Sequence, residues 1–187
     1  MKRTLIGGVG YRWQRDASFG VVATDALAAL DWPPEVTVSD LGYGAIYAAQ
    51  DIADAQPPYD RLILIAAAAR DRPSGVVHRY AYESRHAEDD EVLARVREAG
   101  AGVIDLDHLL VIGEHMRALP SDVTVFEIEP ANVEPGIELS DEGVRLLENV
   151  ICLVREDIFS GVAQSLQPSD RGSAEAVALP QEDKCPL

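Results

Sequence analysis

Apolar positions along the chain fall into two kinds of segment that alternate from the N-terminus to about residue 158. Thr4–Val9 is a short β-rich run, and Arg61–Ala68 is apolar after its first residue, as expected of a central strand buried on both faces. Glu35–Asp40 and Gly75–Tyr82, the latter after a turn containing Pro73, read as further strands. At 122–128, Val123, Val125 and Glu127 alternate with Thr124, Phe126 and Ile128, which predicts a strand stopped by Pro130 and Pro135. Between these lie helix-like segments: Val21–Leu30, Ala45–Ala53, a charged and exposed Asp89–Ala99, and Val103–Leu119. The last helix, 140–158, begins with Ser140 as a cap and Asp141 and Glu142 in a first turn that favours anions. Its spacing buries Val144, Leu147, Ile151, Val154 and Ile158. Strands alternating with helices predict a three-layer α/β sandwich around a mixed, mostly parallel sheet of about five strands.

Length and composition add boundaries. The 187 residues accommodate one domain over 1–158, with a proper core, and no internal repeat. From 159 to 187 the sequence turns to Ser, Gln, Pro, Gly, Ala and scattered charge without period, which predicts a disordered tail with a linker role. Lys2 and Arg3 precede an apolar run too short for a signal peptide, and no run approaches the ~20 residues of a membrane span. The expectation is a soluble, cytoplasmic protein. A formal net charge of −16 opposes binding to nucleic acid or an anionic membrane, so a protein partner fits better. The cysteines, Cys152 in the last helix and Cys185 near the end, form no CxxC and no disulfide framework.

Candidate chemistry centres on the first loop. The first strand ends in Gly7-Gly8-Val9-Gly10, and Asp40 ends the second strand where a dinucleotide fold places its ribose-binding acid. The spacing fails, because Trp13 stands where the third glycine must be. A polar and bulky loop from Tyr11 to Phe19 follows instead, at the carboxyl end of a parallel strand, where α/β proteins build sites. Tyr11 and Trp13 are aromatics of the kind that anchor interfaces.

Three motifs together resemble the hydrogenase maturation proteases, endopeptidases that trim the C-terminus of the nickel-iron hydrogenase large subunit. The first is GVGYRWQRDASFG, with Gly8, Gly10, Asp16 and Gly20 in register; the second is Asp40-Leu41-Gly42-Tyr43-Gly44. The third, the most specific, runs from Ile128-Glu129-Pro130 through Val133 to Leu139-Ser140 and Gly143. The resemblance covers roughly residues 1–158 and implies the phosphorylase/hydrolase-like fold of that family. It also implies a carboxylate–carboxylate–imidazole set that reads the nickel of the substrate. Those family ligand positions fall on Ala17, Ala66 and Gly102, none of which can ligate through a side chain. Displaced substitutes, Asp16, Asp71 and His108, would present different faces.

What the resemblance implies is therefore a non-catalytic homologue acting in nickel-iron hydrogenase biogenesis, a pseudoenzyme with a chaperone-like role. It needs no cofactor or metal and binds an immature large subunit or a maturation factor. An active C-terminal-processing endopeptidase with displaced ligands is the alternative. Tyr11, Trp13, Asp16, Asp40, Gly42 and Tyr43 are the candidate partner-binding residues. Other features read as structural. Glu88-Asp89-Asp90-Glu91 suits a helix N-terminus, and His108 and His115 lie two turns apart, too far for one metal. There is no Gly-x-Ser-x-Gly elbow.

Overall fold

A computed structural model describes residues 1–159 and the backbone of 175–177. Strands β1 (Thr4–Val9), β2 (Val36–Asp40), β3 (Arg61–Ala67), β4 (Val77–Ala81), β5 (Asp122–Ile128) and β6 (Glu175–Val177) form one sheet in the order β2-β1-β3-β5-β4-β6. The pairs β1–β2, β1–β3 and β3–β5 are parallel, whereas β4 is antiparallel to both β5 and β6. The helices are α1 (Phe19–Ala28), α2 (Ala45–Asp54), α3 (Asp89–Gly100), α4 (Leu106–His115) and α5 (Asp141–Phe159), with a 3-10 turn at Arg15–Ser18. The predicted α/β sandwich with a mixed, mostly parallel sheet is the fold observed.

The period of two along β1 and β3 divides the core. Leu5, Val9, Leu62, Leu64 and Ala66 point to one face, where Ala45, Ala48, Ala49 and Ile52 of α2 and Leu106, Leu109 and Leu110 of α4 cover them. Ile6, Ile63 and Ile65 point to the other, against Phe19, Ala23 and Leu27 of α1 and Leu146, Val150 and Val154 of α5. Each fully buried side chain of this size contributes about 1.5–3 kcal/mol, and the two clusters hold the three layers together. Small residues set the closest approach: a Cβ on Gly8 would come 2.0 Å from the Gly20 carbonyl oxygen, so α1 packs on β1 only because both positions lack side chains.

Three expectations are corrected. The buried face of α5 is Gly143, Leu146, Asn149, Val150, Val154 and Ile158, while Val144 is exposed and Leu147 and Ile151 only half-buried. The two stripes coincide at Val154 and Ile158 and diverge towards the N-terminus of the helix, where Gly143 rather than Val144 stands against Asp16. The segment predicted as a helix over Val103–Leu119 is helical only over Leu106–His115. The Asp105 carboxylate caps it, accepting from the backbone N–H of Asp107 at 2.7 Å and of His108 at 3.4 Å, and Arg117 turns the chain out with φ +56°. Finally, the tail contains a strand: Glu175, Ala176 and Val177 pair with Arg79, His78 and Val77 on the open edge of β4. Sequence period cannot reveal three residues ordered by an edge elsewhere in the chain. The rest of the predicted disordered tail, including Cys185, lies outside the described residues.

Candidate functional site

Parallel strands all point their carboxyl ends the same way, so the segments after β1, β2, β3 and β5 gather at one end of the sheet. Asp16, in the 3-10 turn after β1, joins two of them. Its side chain is 1% exposed. One carboxylate oxygen accepts from the backbone N–H of Ala131 at 3.0 Å and of Asn132 at 2.9 Å, and from the Ser140 hydroxyl at 2.8 Å. The other accepts from the backbone N–H of Ser140 at 2.8 Å. The Ser140 Oγ in turn accepts from the Gly143 N–H at 3.0 Å, which caps α5. A Cβ on Gly143 would stand 2.6 Å from Asp16 Oδ1. The aspartate of the first motif and the Ser-x-x-Gly of the third are thus one constellation. Asp16 was a partner-binding candidate in the sequence, but buried behind these four donors it offers no surface to a partner.

The other candidates line the same end. Tyr11 is half-buried, and its hydroxyl accepts from the backbone N–H of Ile104 at 3.0 Å, linking the first loop to the connection before α4. Asp40 accepts from the Gly42 N–H at 2.7 Å and pairs with Arg12 at 2.8 Å. Arg12 also pairs with Asp25, and these hydrogen bonds, Asp25 first and Asp40 second, push its guanidinium further above the ordinary arginine value. Gly42 sits in this turn. The hydroxyl of Tyr43 donates to Asp51 at 2.6 Å, and burial first and that bond second raise its phenol above the usual value.

Trp13 is different. It is 70% exposed with φ +65°, a left-handed conformation that a bulky side chain rarely adopts and that costs on the order of 1–2 kcal/mol. Its carbonyl accepts from the Gly136 N–H at 2.8 Å, which fixes the loop beside the 129–140 segment. Exposed Ile137, Val133, Tyr43 and Tyr47 belong to the same carboxyl-end loops and helix starts. Five large apolar side chains therefore face solvent at one end of the sheet.

The family ligand positions are also placed. Ala66, 1% exposed, lies in β3 between Val9 of β1 and Glu127 of β5. Ala17 belongs to the 3-10 turn, and its carbonyl accepts from the Tyr11 N–H at 3.3 Å. Gly102 follows α3 with φ +93°. The displaced substitutes do not converge: Asp16 is committed as above, Asp71 is exposed, and His108 Nε2 lies 2.7 Å from Glu98. Among the described residues no group of three or more His, Cys, Asp or Glu could hold a metal ion. The three positions that the resemblance assigns to ligands carry no ligating side chain in this chain.

Sequence reasoning missed an ion cluster beside Ala66. Glu127 is 1% exposed and pairs with Arg70 at 3.1 Å and closely with Arg72, while the Tyr80 hydroxyl donates to it at 3.2 Å. Arg70 also forms a two-pronged bond to Asp107 at 2.7 and 2.9 Å, and its backbone N–H donates to Glu129 at 2.9 Å. Hydrogen bonding to Asp107 first, then to Glu127, raises the Arg70 guanidinium against the opposing effect of burial. Burial first and the Glu127 charge second raise the Tyr80 phenol. The signal in the sequence was a charged residue inside an otherwise apolar strand, since Glu127 can be buried only with partners.

The sequence matches no protein-family model and no curated protein. Solved structures do match. The hydrogenase 2 maturation peptidase from Thaumarchaeota archaeon SCGC_AB-539-E09 is 29% identical, with a TM-score of 0.60 over 83% of this chain and 97% of that one. The hydrogenase maturating endopeptidase HybD from E. coli is 20% identical, with a TM-score of 0.61 over 83% and 93%. The NiFe hydrogenase maturation protease HycI from Thermococcus kodakarensis KOD1 is 17% identical, with a TM-score of 0.57 over 84% and 92%. The last two speak for the fold alone. The resemblance read from the three motifs holds in three dimensions.

Proposed function

We propose that this chain, which has the fold of the hydrogenase maturation endopeptidases, acts in nickel-iron hydrogenase biogenesis as a non-catalytic homologue. It docks an immature large subunit, or another maturation factor, on the carboxyl end of its sheet, and its place of action is the cytoplasm. Trp13 carries the docking part of this reading. Burial does not explain a tryptophan that is 70% exposed, and backbone preference opposes its φ of +65°. Strain of this kind persists where the surrounding structure holds it for a purpose, and Ile137, Val133, Tyr43 and Tyr47, exposed at the same end of the sheet, are further apolar side chains that an interface there would cover. Ala17, Ala66 and Gly102 support the non-catalytic part, since they remove the side chains through which relatives of this kind would read a metal. No observation favours the endopeptidase alternative, whose displaced ligands are engaged elsewhere or exposed.

Trp13→Ala is expected to weaken association with the cognate large-subunit precursor by about 2 kcal/mol, roughly thirtyfold, while leaving the thermal midpoint unchanged. A fall in midpoint matching the loss of binding would make Trp13 a packing residue and remove the argument. Calorimetric titration of the intact protein with Ni²⁺ is expected to show no stoichiometric site. A site that disappears in His108→Ala would restore the endopeptidase reading.

A further inference from the structure

Among the strands of residues 1–159, β4 is the outermost on its side of the sheet, and this chain covers that edge with its own tail. Hydrogenase 2 maturation peptidase is matched over 97% of its length by 83% of this chain, which leaves material beyond the shared fold. Strand β6 lies antiparallel on β4 with Val77↔Val177, His78↔Ala176 and Arg79↔Glu175.

The hydrogen-bonding sense of β4 follows from its inner partner. The Tyr82 N–H donates to the Val123 carbonyl at 2.8 Å, so alternate residues Tyr80 and His78 also face β5. The outward-facing backbone groups are therefore those of Val77, Arg79 and Ala81. Against them, Val177 and Glu175 present their own N–H and C=O groups, and Ala176 faces away. The strand spans three residues and stops short of Tyr80 and Ala81, although β4 runs over Val77–Ala81. An isolated three-residue pairing is marginal, and tethering is what keeps it in place.

We propose that the outer edge of β4 is a strand-addition site for an extended segment of a partner protein, and that Glu175–Val177 guards it in cis. The register defines the chemistry of the incoming segment: an acidic residue opposite Arg79, a small residue opposite His78 and a β-branched apolar residue opposite Val77. Such a segment runs in the direction of β5 and ends its pairing beside Ile128, at the carboxyl end where Trp13 and Ile137 are exposed. A partner docked on that end can thus continue onto β4. A segment long enough to reach Ala81 makes one more rung than the guard does, which is how it displaces a tethered competitor.

The test uses the full chain with Glu175→Pro and Val177→Pro together, which removes both inward N–H donors of β6 without shortening the protein. In the unaltered protein the amides of Val77 and Arg79 should resist hydrogen exchange; in the variant they should exchange at least about tenfold faster, with Tyr80 and His78 unchanged. A fluorescent peptide of residues 172–180, GSAEAVALP, should bind the variant at least about tenfold more tightly than the unaltered protein, where the guard competes. Equal exchange in both proteins would show that β6 guards nothing. Exposed amides without peptide binding, or with dimers on size exclusion, would overturn the partner-segment site, the latter in favour of pairing between two copies. Neither measurement involves a hydrogenase subunit, so failure here and failure of the biogenesis reading are separate results.

Discussion

Replacing Asp16 by Asn tests whether the first and third motifs form one structural constellation. The carboxylate accepts four hydrogen bonds, three from backbone N–H groups and one from Ser140 Oγ. Hydrogen bonds to a charged acceptor contribute about 1.5–3 kcal/mol each, but the four are not independent. Ala131 is exposed and Asn132 and Ser140 half-buried, so water recovers part of the loss. Asparagine keeps one acceptor oxygen and turns an amide donor towards groups that are themselves donors. The balance is a destabilisation of about 3 kcal/mol for Asp16→Asn and about 4 kcal/mol for Asp16→Ala, where a small cavity adds to the loss. For a domain of this size that is a fall in thermal midpoint of about 6–12 °C for the asparagine variant. Urea denaturation gives the free energy, and amide exchange should show lost protection at Asn132 and Ser140 first. Asp16→Asn within about 1 kcal/mol of the unaltered protein would refute the constellation. Unchanged stability with weakened partner binding would return Asp16 to the docking surface.

Two further outcomes follow from the same end of the sheet. Glu127→Gln should cost about 3 kcal/mol in urea denaturation, because a buried carboxylate leaves two guanidinium groups that keep only Asp107 and Glu129, and a loss under about 1 kcal/mol would show the cluster to be dispensable. Gly143→Ala should destabilise by about 2 kcal/mol although alanine is the better helix former by about 1 kcal/mol, since its Cβ would meet Asp16 Oδ1 at 2.6 Å; a gain in stability would mean that the close approach relaxes freely.

The layers were legible in the residues alone. Strand β3 is legible because nothing polar interrupts Leu62–Ala66, and β1 because its apolar run is short and ends in glycine; only a central parallel sheet buries such runs on both faces. The motifs were equally legible, because a close approach such as Gly8 on Gly20 tolerates no other residue. What the motifs do was decided by tertiary structure. Asp16 resembles a surface acid until Ala131, Asn132 and Ser140, more than a hundred positions away, bring their N–H groups to it. The buried face of α5 was decided there too, since Gly143 rather than Val144 stands against Asp16. Glu127 gave a signal without a partner: Arg70 and Arg72 are set against it by a loop whose path periodicity does not encode. The tail strand lay furthest from view. Pairing along a sheet edge depends on backbone groups that every residue carries, so Glu175–Val177 is ordered by the vacancy beside β4 rather than by a pattern of its own.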